Sequence, residues 1–109
     1  MIKISFYNSS DYITGFSVKG HSGYSDEGSD IVCAAVSSAV FLTVNMLTDI
    51  YKADADVSVS DDPQNPLISL KLNCDFENYQ KIMQGLLEHL KSLAEDYPEY
   101  IKLRSVTNA

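Results

Sequence analysis

Apolar and polar positions alternate at the start of the chain. Ile2, Ile4 and Phe6 are interleaved with Lys3, Ser5 and Tyr7, the period of a half-buried strand. Asn8-Ser9-Ser10-Asp11 has turn chemistry, and residues 12–19 read as a second strand with Phe16 and Val18 turned inward. Together these segments predict a hairpin. The period then changes. From about Ile31 to Tyr51 apolar residues occupy most of the circumference of a helix, which predicts cover on several sides, by a sheet and by a partner helix or second subunit. Residues 57–60 and 67–72 predict a second hairpin around Asp61-Asp62-Pro63-Gln64-Asn65-Pro66.

A second helix is expected from about Phe76 to Asp96, with Asp75 as its cap. Tyr79, Ile82, Met83, Leu86, Leu87, Leu90, Leu93 and Ala94 give it one apolar stripe, and Pro98 stops it. Residues 100–106 are expected to add a short strand. The order ββαββα predicts an α+β two-layer domain, with two long helices packed on a mixed or antiparallel sheet. No linker or composition shift divides residues 1–109, so one domain is expected.

Charge and cysteine content narrow the function classes. The formal charge is −7, with only eight Lys and Arg against fifteen Asp and Glu. Bare nucleic acid is therefore expected to be a poor partner, because phosphate binding needs clustered cations. Two cysteines are too few for a disulfide scaffold, and the N-terminus reads as a strand, not a signal peptide; the expected compartment is the cytoplasm. Ile31 to Thr48 carries no formal charge, but its Ser, Thr, Asn and Cys residues and the lack of a basic flank favour a buried helix over a membrane span.

Between the second strand and the first helix runs Gly20-His21-Ser22-Gly23-Tyr24-Ser25-Asp26-Glu27-Gly28-Ser29-Asp30. Gly20, Gly23 and Gly28 indicate unusual backbone angles or close approach. Ser29 or Asp30 can cap the helix, which puts Cys33 in its first turn. Unpaired N–H groups and the positive dipole end favour a thiolate there, and could also hold an oxyanion. His21 can fold back across the loop; an ordinary imidazole, with a pKa of ~6.5, accepts a thiol proton and returns it to a leaving amine.

Asp30 has two open roles, capping the helix or orienting His21. Ser22 is a weak nucleophile candidate, and Tyr24 packs or lines the site. A phosphate cradle is disfavoured because the loop lacks Lys and Arg and carries Asp26, Glu27 and Asp30. A zinc site from His21, Cys33, Cys74 and His89 has no close ligand pair. Cys74 reads as structural and His89 as solvated, so no metal and no cofactor are expected.

The stretch Gly20-His21-Ser22-Gly23-Tyr24, followed by Gly28-Ser29-Asp30-Ile31-Val32-Cys33-Ala34-Ala35-Val36-Ser37, resembles the signature of the Prp family. These are ribosomal-processing cysteine proteases of Firmicutes and related bacteria, and the likeness covers the whole chain in length and element order. The resemblance implies a His–Cys dyad at His21 and Cys33 and a homodimer. It implies as substrate the precursor of large-subunit ribosomal protein twenty-seven, a basic protein cut after an apolar, aromatic-rich stretch of its N-terminal extension. Gly20, Ser22, Gly23, Tyr24 and Gly28 would form the substrate loop. Ser22 and Ser25 stand where the family often has alanine; both are small, so the loop geometry should survive. The rival reading is a non-enzymatic ribosome-associated binding module in which Cys33 is merely buried.

Overall fold

In the computed structural model, which describes residues 1–26 and 30–108, the alternating segments become five strands of one sheet. Strands β1 (Ile2–Ser9) and β2 (Tyr12–Lys19) pair antiparallel as the first hairpin. Strands β3 (Ala55–Ser60) and β4 (Leu67–Leu72) form the second. The last strand, β5 (Ile101–Asn108), runs parallel to β1 from Ile2 opposite Ile101 to Ser9 opposite Asn108. Strand order is β3-β4-β2-β1-β5, so the sheet is mixed and the first hairpin is central.

One face of this sheet is covered by both helices. Ile2, Ile4, Phe6, Phe16, Val18, Leu70, Leu72 and Ile101 are buried beneath them. Helix α1 (Ile31–Asn45) places Val32, Val36, Val40 and Val44 at four-residue spacing in that core. Each fully buried side chain of this size contributes about 1.5–3 kcal/mol. The helix continues through a π-helical turn, Met46–Ile50, closed by Tyr51 N–H on the Met46 carbonyl at 2.9 Å. Residues 31–50 are long and apolar enough to cross a membrane, yet the valine stripe is core. Cover on several sides is only partly realised: Ile31, Phe41, Leu42 and Ile50 are exposed.

Helix α2 (Gln80–Asp96) buries Met83, Leu86 and Leu90, the centre of the predicted stripe. Its start corrects the expected cap. Asp75 has φ +56° and its side chain makes no capping bond; a 3-10 turn, Phe76–Tyr79, intervenes. Gln80 performs a different task. Its amide exchanges two hydrogen bonds with the Ile13 backbone, at 2.8 and 2.9 Å. Ile13, which faces Asn8 of β1 on one side, lies beyond the last β2–β4 pair, at Gly15, so on the other side Gln80 takes the place of a strand.

Candidate active site

The cleft at the start of α1 is built from a left-handed turn and a helix cap. Gly20 ends β2 with φ +88°, and a Cβ there would meet the Met1 carbonyl oxygen at 2.7 Å. Only glycine fits both conditions, and the turn delivers His21 away from the sheet. Gly23 repeats the device with φ +76°.

Asp30 resolves the two roles left open. Its Oδ1 accepts from the N–H groups of Val32 and Cys33, each at 3.0 Å, which is the N-cap arrangement. Its Oδ2 accepts from the Ser22 hydroxyl and from Ser25 N–H at 3.4 Å. Both oxygens are thus engaged with the loop and the helix, and none of these bonds goes to His21. Burial works against the charge of Asp30, but donors from Ser22, Cys33, Ser25 and Val32 outweigh it and hold the carboxyl below its ordinary value of 3.8.

The same cap changes the electrostatics expected at Cys33. Two of the first-turn N–H groups are spent on Asp30, and Ala34 N–H bonds the Asp30 carbonyl at 3.1 Å. The donor that reaches the half-buried sulfur comes from the loop: Ser22 N–H lies 3.3 Å from Cys33 Sγ. Ser22 is therefore structural, buried between cap and sulfur, and its hydroxyl also accepts Tyr24 N–H at 3.0 Å.

His21 and Cys33 line one open cleft of about 590 Å³, with Gly23, Asp26, Asp30 and Pro63 also in its wall. The imidazole is exposed, and its Nε2 bonds the Pro63 carbonyl at 2.9 Å, in the β3–β4 turn. A carbonyl oxygen only accepts, so Nε2 carries the hydrogen; in the neutral ring Nδ1 is then the acceptor. Among the described residues no hydrogen bond joins His21 to Cys33. The Pro63 contact, 42 positions along the chain, had no signal in the local sequence.

Tyr24 packs away from the cleft, edge-on to Tyr97 and Tyr100 with centroids 5.8 and 5.2 Å apart, and so anchors the loop to the α2–β5 connection. Gly28 lies outside the described residues, as does Ser29. The zinc candidates are dispersed: Cys74 is exposed beside Asp54 and Asp75, and His89 is exposed on α2.

The sequence profile of the family described as cysteine protease Prp matches residues 1–102. The ribosomal processing cysteine protease Prp of Staphylococcus aureus is 28% identical over 96 residues, covering 88% of this chain and 90% of that protein. Its namesake in Mycoplasma pneumoniae is 33% identical over 85 residues, covering 75% and 77%. The crystal structure of the Staphylococcus aureus protease with a covalently linked product peptide superposes with a TM-score of 0.83 at 28% identity, covering 96% of this chain and 99% of that one.

Proposed function

Because this chain belongs to the Prp family of cysteine proteases, we propose that it removes the N-terminal extension from the precursor of large-subunit ribosomal protein twenty-seven, with Cys33 as nucleophile and His21 as base. The observation that carries this reading is the placement of the Cys33 sulfur at a helix start, under a loop N–H, in the same cleft as an imidazole whose Nδ1 is an acceptor.

His21 Nδ1 takes the Cys33 proton as the loop closes on an extended peptide. The thiolate attacks the scissile carbonyl and forms the C–S bond. Gly23 N–H, in the cleft wall and without a partner among the described residues, donates to the oxyanion. The imidazolium then protonates the leaving amine as the C–N bond breaks. Water, deprotonated by His21, hydrolyses the thioester and restores the thiol. The Pro63 carbonyl holds Nε2–H throughout, a role that orients the ring.

Asp26 and Asp30 line the cleft without Lys or Arg, and Asp61 and Asp62 adjoin Pro63, so its potential suits a basic ribosomal precursor. The reading includes a cytoplasmic homodimer. Its support is an apolar groove of about 590 Å³ between the helices, lined by Leu42, Met46, Ile82 and Leu93.

The test is incubation with the extended precursor, followed by mass measurement of the product. Cys33→Ala abolishes cleavage with the fold retained, and His21→Ala slows it by roughly 10²–10⁴-fold. Cleavage by Cys33→Ala at the parent rate would falsify the assignment.

A further inference from the structure

The sheet face turned away from the helices holds most of the cations of this acidic chain. Ile2, Ile4 and Phe6 point to the core, so Lys3, Ser5 and Tyr7 point to the open side. Register places Lys19 and Lys102 on either side of Lys3, and Ser17 and Arg104 on either side of Ser5. Lys71, level with Gly15 on β4, adds a fifth cation out of the chain's eight.

Three lysines directly opposite one another repel, and cost stability. All three are exposed, and among the described residues none has an ion pair. Asp56, opposite Lys71 at the far edge, is the carboxylate that register brings to this face. A hollow of about 370 Å³ lies over the lysine row, lined by four of these five cations, Lys3, Lys19, Lys102 and Arg104, and by no acid. A second, of about 340 Å³, continues it toward β4 and shares Tyr7, Ser17 and Lys19.

Tyr7 narrows the chemistry of the partner. Its hydroxyl meets Ser17 Oγ at 3.1 Å on the neighbouring strand, while its own cross-strand position is Gly15. The ring therefore leans over β2 at Gly15; half-buried, it forms part of the wall of both hollows and presents a π-face there. An acidic peptide would use the cations but not such a face. A nucleic acid single strand uses both, through phosphates and a stacked base. Strands are ~4.8 Å apart, so Lys19, Lys3 and Lys102 span about 10 Å, more than one phosphate occupies. Ser5 and Ser17, between the cations, are buried and bonded to Arg104 and Tyr7, so they hold those two side chains in place.

We propose that the open sheet face binds single-stranded nucleic acid, with phosphates on Lys19, Lys3, Lys102 and Arg104 and a base stacked on Tyr7. Net charge, from which nucleic acid was expected to be a poor partner, averages over a surface whose basic residues are gathered on one side.

Fluorescence anisotropy of the full chain with labelled oligo(A) tests this. Binding is expected at low salt, with affinity falling as salt rises. Lys3→Glu with Lys102→Glu should raise Kd at least roughly tenfold and lower the salt slope by about one per lysine. The same charge change on α2, Lys81→Glu with Lys91→Glu, should leave Kd within about twofold of the parent. Tyr7→Ala should weaken binding with the salt slope kept. Thermal melts verify that each variant is folded. No binding at low salt overturns the proposal, as does equal loss in the α2 control. Unchanged binding by Tyr7→Ala, with polyglutamate competing as well as oligo(A), would assign the face to acidic peptides instead.

Discussion

The hydroxyl of Ser22 donates to the carboxylate of Asp30, and both residues are buried. This link ties the loop after β2 to the cap of α1, and it brings the Ser22 N–H onto the Cys33 sulfur. A helix cap, ordinarily a device of stability, thus also holds the wall of the cleft that contains His21 and Cys33.

Ser22→Ala deletes a hydrogen bond to a charged acceptor while keeping the backbone N–H that reaches Cys33. A loss of about 1.5–3 kcal/mol in urea-unfolding stability is expected. Proteolytic rate per folded molecule should change less than about threefold, because the donor to sulfur is backbone. A far larger loss of rate at full stability would give the hydroxyl a direct part in the reaction.

Asp30 makes part of the stability depend on pH. Its folded pKa lies below the ordinary 3.8, so the folded state binds this proton less readily than the unfolded chain. The contribution is complete above the unfolded value and is lost as pH falls through the folded one. Urea midpoints of parent and Asp30→Asn should accordingly differ most near neutral pH and converge as pH falls from the ordinary 3.8 through the lower folded value. A gap that stays constant over that range would show that the carboxylate charge contributes nothing.

Cys74 Sγ lies 3.8 Å from Asp54 Oδ2 and 3.6 Å from Asp75 Oδ2. Desolvation first, then the carboxylates of Asp75 and Asp54, push its pKa above 9.0, the usual thiol value. In a Cys33→Ala background, iodoacetamide should label Cys74 slowly at neutral pH, and Asp54→Asn with Asp75→Asn should accelerate labelling. Equal rates in the two backgrounds would remove the acidic neighbours as the cause.

Gly20→Ala combines a left-handed φ with a contact of 2.7 Å to backbone oxygen, which no side-chain rotation relieves. Destabilisation of at least about 1 kcal/mol is expected, together with reduced cleavage from displacement of His21. Among the described residues Gly23→Ala meets no atom within 4 Å, so its cost there is that of the backbone angle and should be smaller. Equal melting temperatures for parent and Gly20→Ala would contradict this account.

The sequence by itself determined the elements that obey short-range rules. Alternation at residues 2–7 made β1, the stripe at Met83, Leu86 and Leu90 made α2, and Ser29-Asp30 marked a cap before Cys33, which the structure assigns to Asp30. These depend on neighbours a few positions apart, so they are legible in a linear pattern. The Gly-His and Asp-Ile-Val-Cys segments likewise carried the protease family. Tertiary structure alone decided what depends on strand order. It set the Pro63 carbonyl against His21, gave the Ser22 N–H to the sulfur, brought Gln80 to the bare edge at Ile13, and gathered Lys3, Lys19, Lys102 and Arg104 onto one face. Asp75 failed as a cap for the same kind of reason: propensity marks residues able to cap, whereas a left-handed backbone at that position turned its side chain from the task. Contacts between distant residues arise only once the order β3-β4-β2-β1-β5 has closed the chain on itself, and no local periodicity encodes that order.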